Sequence, residues 1–232
     1  MITLAAARLL TDSLRLDAAP AEIAARLAAA QVADWPGLLT HADRHSLTPL
    51  LCATWRAAGV LALLPAAVQA RLTRAYQDNA LRNAHIRNEL IEVLALLEQA
   101  GVSALTLYAD PAERVLYDHD LLVAPGQAAA GHAALRAAGF TPLPAKDAWV
   151  EKHLPPLWRN ARYHWDGYLF DPLYPCPVEL HVRLWESGWR GLAVRPLAGV
   201  WPRAQVRPVA GRPMRVLSDE DQLIHLAMHF AG

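Results

Sequence analysis

The stretch Leu116-Tyr117-Asp118-His119-Asp120-Leu121-Leu122-Val123 decides how the chain is read. Its apolar and β-favouring residues predict a strand, on which side chains two apart share a face. Asp118 and Asp120 then project together, while His119 and Leu121 point the other way. Paired carboxylates repel each other, and Asp is depleted from strands, so the pair calls for a compensating charge. Leu121-Leu122-Val123 follows at once and argues against an exposed turn. Hard oxygen ligands on one face suit Mg²⁺ or Mn²⁺, and a metal pair about 3.5–4 Å apart is a common device for in-line phosphoryl or nucleotidyl displacement. Such a site wants a third carboxylate. Glu179, in Pro177-Val178-Glu179-Leu180-His181, is the natural candidate, because an unpaired acid between apolar strand neighbours is costly. His181 follows two residues later on the same face, either packed in the core beside the site or touching a metal or a phosphate.

Upstream of this strand the sequence reads as helices. Pro20-Ala21-Glu22 opens one through Ala30, Trp35-Pro36-Gly37 breaks the chain, a second helix runs to His45, and Thr48-Pro49 starts a third ending near Gly59. From Pro65 to Ala100 there is neither an internal Pro nor a Gly. Ile86, Leu90, Leu94 and Leu97 recur there at helical spacing, and Gly101 stands where a left-handed residue would stop the helix. Strands are expected at Val102 to Tyr108, Leu116 to Val123, Ala161 to Phe170 and Val178 to Trp185, with a helix at Gly126 to Ala138. Arg183 to Arg215 reads as a basic loop, and Ser218-Asp219-Glu220-Asp221 caps a last helix. The expectation is an α+β fold with a helical N-terminal region over 1–100 and a small mixed sheet flanked by helices over 101–232. The last helix stops at Gly232 with little room for a terminus, the pattern of a chain trimmed from something longer.

Composition narrows the partners. The chain of 232 residues is 54% hydrophobic, enough for a sizeable core, and its 22 basic and 22 acidic residues leave no global positive field for long nucleic acid. The most apolar stretch, Leu47 to Leu64, is interrupted by Pro49, Arg56 and Gly59 and reads as a buried hairpin rather than a membrane span. Met1 to Asp17 lacks the basic start and apolar run of a signal peptide, and Cys52 and Cys176 suit ordinary thiols in a reducing cytoplasm. Trp149, Trp158, Trp165, Trp185, Trp189 and Trp201 can stack bases, but more often fill a core and a dimer seam, which leaves a homo-oligomer open.

Taken in order, the motifs resemble a known family. They are Arg82-Asn83 and Asn88-Glu89-Leu90 on the long helix, Asp118-x-Asp120-Leu121-Leu122-Val123, Glu179-Leu180-His181, and Leu223-Ile224-His225-Leu226 with His229; His45-x-x-x-Pro49-Leu50-Leu51 adds to the helical front. Together they look like the uncharacterised nucleotidyltransferase-like family of bacterial proteins within the polymerase-beta-type superfamily. The resemblance implies metal-dependent transfer of a nucleoside monophosphate from an NTP to a hydroxyl acceptor. Asp118, Asp120 and Glu179 would hold Mg²⁺ or Mn²⁺, Glu179 would help the acceptor lose its proton, and Arg114 would meet a phosphate oxygen.

One departure counts against activity. Members of the superfamily carry a Gly-containing turn whose backbone amides cradle phosphates, whereas Leu105-Thr106-Leu107-Tyr108-Ala109-Asp110-Pro111 has neither Lys nor Gly. The alternative expectation is therefore a catalytically degenerate chain that binds or assembles. His225 and His229, at i and i+4, also invite a zinc reading, but the motif lacks the Glu of metalloproteases and an obvious third ligand.

Overall fold

A computed structural model describes residues 3–15, 17–29, 34–107, 114–143, 150–159, 162–188, 193, 197–209 and 211–230. They form two compact units. The first comprises Met1–His85, Pro111–Val115 and Trp165–Tyr174; the second comprises Ile86–Asp110, Leu116–His164 and Pro175–Gly232.

The first unit is helical. α1 (Leu4–Ser13) starts where Thr3 Oγ1 accepts the Ala6 N–H at 3.2 Å. α2 (Pro20–Ala29) follows, then α3 (Trp35–Arg44) and α4 (Thr48–Ala57). Trp35-Pro36-Gly37 is the first turn of α3 rather than a break before it. The Asp34 carboxylate accepts the Gly37 N–H at 2.9 Å, and Pro36 occupies a position whose N–H would have had no partner. Leu9, Leu10, Leu38, Leu51, Trp55 and Leu72 fill the core, where Trp55 Nε1 donates to Ser13 Oγ at 3.0 Å. Leu47 to Leu64 forms α4 and a short 3₁₀ turn, Leu61–Leu63, with Leu51, Cys52, Trp55, Val60 and Leu64 in this core and Leu50 and Leu63 exposed. No helix among the described residues is long and apolar enough to cross a membrane.

α5 (Ala66–Gln99) is one unbroken helix of 34 residues, its stretch to His85 in the first unit and the rest in the second. Gly101 beyond it has φ +71°, a conformation that an L side chain resists.

The expected strand at 161–170 is not formed among its described residues, 162–170. Asp166 Oδ1 accepts the Tyr168 N–H at 2.8 Å and Gly167 takes φ +97°, so the chain turns before it can extend. This turn, with the residues to Tyr174, belongs to the first unit. Phe170 packs there with Ala75 and Val115, and the fully buried Arg82 donates to the Leu169 carbonyl and lies 4.3 Å from the Tyr174 ring centre.

The second unit carries a mixed sheet ordered β3-β4-β5-β2-β1-β7-β6. Its strands are β1 (Ala104–Thr106), β2 (His119–Val123), β3 (Thr141–Pro142), β4 (Leu157–Trp158), β5 (Val178–His181), β6 (Gln205–Val209) and β7 (Arg212–Val216), with helices α6 (Ala128–Ala137), α7 (Val200–Arg203) and α8 (Asp219–Phe230). The architecture is α+β, as the sequence predicts. β2 runs parallel to β5 and antiparallel to β1.

β2 begins at His119, three residues later than expected. The His119 N–H donates to the Pro177 carbonyl at 2.7 Å, and Pro175 and Pro177 have no N–H with which to carry the ladder further. Asp118 therefore stands just off the strand end. The basic stretch to Arg215 is likewise not a plain loop, since it contains α7 and the β6–β7 hairpin, turned at Gly211 with φ +76°. Its arginines meet acids: Arg203 with Asp221 and Arg207 with Asp219 at 2.8 Å each, and Arg183 with Glu151. Arg190, Arg195, Trp149 and Trp189 lie outside the described residues.

One sheet face, with Leu121, Val123, Val178 and Leu180, packs on Leu90, Val93 and Leu97 of α5 and Leu135 of α6. There α6 comes close enough that a Cβ on Gly131 would sit 3.1 Å from Leu97 and 3.2 Å from Leu180. Leu105 and Leu122 cluster separately with Leu184, Val200 and Leu217. Leu121→Ala should cost about 2–5 kcal/mol in urea unfolding because its site is fully buried, whereas Leu223→Ala, on the solvent side of α8, should change stability by less than about 0.5 kcal/mol.

Candidate functional site

The parallel pairing of β2 with β5 sets Asp120 opposite Glu179, Leu121 opposite Leu180 and Leu122 opposite His181. Because faces alternate, Asp120, Glu179 and His181 emerge on one side. His181 Nε2 lies 2.8 Å from Asp120 Oδ1 and 3.4 Å from Glu179 Oε2. One ligand atom from each of these three residues falls within 4.8 Å of the others, the geometry of a shared cation. His119 faces away, 3.7 Å from Glu89 of α5.

A second histidine completes the group. Residues 152–154 run along β5 as an edge: His153 bridges His181, the Leu154 N–H donates to the Leu180 carbonyl at 3.0 Å, and the Val182 N–H donates to the Lys152 carbonyl at 2.8 Å. His153 Nε2 comes to 3.2 Å from Glu179 Oε2. Sequence reasoning missed His153, because a single bridge leaves no periodic signal and depends on a partner far along the chain.

The electrostatics separate the two aspartates. Asp118 remains exposed, yet the protein crowded around its carboxyl, followed by the charges of Asp120 and Glu179, pushes it up to about 7. Burial works to raise Asp120 too, but the hydrogen bond and charge of His181, with Lys152 beyond, hold it below the usual carboxylate range. Burial disfavours a charged His181, but its hydrogen bonds to Asp120 and Glu179 outweigh that and raise its pKa. His181 Nδ1 is buried without a hydrogen-bond partner among the described residues.

The remaining candidates fall elsewhere. Arg114 belongs to the first unit, where its carbonyl accepts from Asn79 Nδ2 at 3.2 Å and Asn83 Nδ2 at 2.7 Å. In the segment expected to lack a phosphate turn, 108–111 lies outside the described residues. The imidazoles of His225 and His229 have centres 6.3 Å apart, and among the described residues no third His, Cys, Asp or Glu joins them as a ligand set. The donor set Asp120, Glu179 and His181, with Asp118 at its edge, fits a hard divalent cation: carboxylate oxygens suit Mg²⁺, and the imidazole nitrogen adds a preference for Mn²⁺.

The second unit thus gathers carboxylates and an imidazole of β2 and β5, side by side in parallel, into a group whose ligand atoms have the spacing a divalent cation would need. The sequence profile of the uncharacterised nucleotidyltransferase family matches residues 31–232, and the chain belongs to that family. Comparisons with curated proteins and with solved structures gave no match.

In metal-free protein, Asp120→Asn should lower the pKa of the His181 imidazole, read by NMR titration of the ring protons; an unchanged titration would contradict the pairing. The raised folded pKa means that this pairing stabilises fully below the ordinary histidine value of about 6.5 and fades as pH climbs through the folded value, and the variant should lose that dependence.

Proposed function

We propose that the chain is a metal-dependent nucleotidyltransferase that moves a nucleoside monophosphate from an NTP to a hydroxyl group of a small acceptor. The observation that carries this reading is the Asp120–Glu179 register, which gathers two carboxylates and His181 within 4.8 Å in a member of a nucleotidyltransferase family. Asp118, Asp120 and Glu179 would hold Mg²⁺ or Mn²⁺. The cation, when bound, would supply positive charge against the negative charge that grows on the α-phosphate and on departing pyrophosphate.

The chain's own groups do the rest. Glu179 accepts the acceptor hydroxyl proton as the new O–P bond forms and the bond from the α-phosphorus to the bridging oxygen breaks, releasing pyrophosphate. His153 and His181 keep the Glu179 carboxylate in place, and His181 does the same for Asp120. Arg114 is assigned to a phosphate oxygen on the family resemblance alone. The neutral overall charge favours a small acceptor over long nucleic acid, and the buried thiols Cys52 and Cys176, not joined in a disulfide, suit a cytoplasmic protein.

A second reading has an observation of its own. His181, 2.8 Å from Asp120, already answers the acids as a cation would, and Leu105 to Pro111 contains no Gly or Lys. On that reading the chain keeps the fold and serves as a binding or assembly module.

Mn²⁺ titration followed by electron paramagnetic resonance separates the two. The natural chain should bind Mn²⁺, Asp118→Asn/Asp120→Asn should abolish binding, and pyrophosphate should appear when NTPs and hydroxylated acceptors are supplied. Equal Mn²⁺ binding by both proteins, or no pyrophosphate from any pairing, would overturn the enzymatic reading.

A further inference from the structure

A cavity of about 240 Å³ is walled by Lys152, Leu184, Trp185, Glu186, His225, Met228 and His229. It is smaller than the roughly 300–1,000 Å³ of pockets that enclose a drug-sized molecule, so its size suits a compact ligand. Lys152 is the only lysine or arginine in the lining, and the only lysine among the described residues. Its backbone is pinned: the Lys152 carbonyl accepts from the Val182 and Arg183 N–H groups, and its own N–H donates to Glu186 Oε1 at 3.4 Å. The one acid of the wall therefore turns toward the Lys152 backbone. The ammonium itself makes no ion pair among the described residues, although its charge is felt at Asp118, Asp120 and His181. His225 is driven down to about 4, chiefly by burial, so it enters the neutral range uncharged.

We propose that this cavity is an anion site for the pyrophosphate portion of a nucleotide, with the Lys152 ammonium as its charge partner and the His225 and His229 side chains as walls. The inference rests on the nucleotidyltransferase reading for the identity of the anion. The Lys152 charge already reaches Asp118 and Asp120, so together with a cation held by the carboxylates it would let a chain without a glycine turn hold the phosphates. Lysine acts there as a mobile point charge and arginine can replace it.

The test is calorimetric titration of inorganic pyrophosphate into the full chain in saturating Mg²⁺, for the natural protein, Lys152→Met and Lys152→Arg, with melting curves to show that each variant is folded. Lys152→Met should weaken pyrophosphate binding about tenfold or more, Lys152→Arg should keep it within about threefold, and Mn²⁺ binding should be the same in all three. Equal pyrophosphate binding in Lys152→Met, or none in the natural chain, overturns the anion site. Pyrophosphate binding that depends on Lys152 in a chain that releases no pyrophosphate from any NTP upholds the anion site while the transferase reading falls.

Discussion

The register between β2 and β5 is the constraint on which the rest of the second unit depends. It is locked by the apolar side of the sheet, where Leu121 and Leu180 are opposite each other and almost wholly buried against α5 and α6. A slip of one residue would turn Asp120 or Glu179 into that core and bring a leucine out beside the other acid. Hydrophobic burial thus fixes the position of charged groups that would not gather unaided. Gly131 shows how close the packing is, since a single added methyl on α6 would press on both Leu97 and Leu180.

The register assembles a dense patch of opposing charges in a chain whose formal net charge is zero. Asp118, Asp120 and Glu179 repel one another, and the imidazoles of His153 and His181 lie within hydrogen-bonding or ion-pairing reach of two of them. The consequence is asymmetric: Asp118 is pushed up to about 7 while Asp120 is held low. A divalent cation would relieve the same repulsion more completely, because it would also draw Asp118 into its charged form. The arginines of the hairpin region take a different part. Arg203 and Arg207 answer the acids at the start of α8, Asp219 and Asp221, and so tie that helix down.

Much of this architecture is legible in the sequence where a local pattern carries the signal. The long helix follows from a stretch without internal Pro or Gly, and the apposition of Asp120 and Glu179 follows from acids set among Leu and Val, whereas Asp118 stands off the end of β2. The strand at 161–170 fails because Asp166-Gly167 is a turn signal inside an otherwise β-favouring run. The β6–β7 hairpin is hidden because Arg and Pro mask its alternation, although Val209, Met214 and Val216 share its buried face. β3 and β4, at two residues each, and the edge that delivers Lys152 and His153, exist only through partners distant in sequence. No pattern within any of the three segments could reveal them.

The central claim is that this register builds a cation site, and a crystal of the full chain soaked in Mn²⁺ tests it most directly through anomalous scattering. The account predicts an anomalous peak bounded by Asp120, Glu179 and His181, with the Asp118 carboxylate turned toward it. Anomalous density absent from that cluster at saturating Mn²⁺, with His181 still hydrogen-bonded to Asp120, would contradict it.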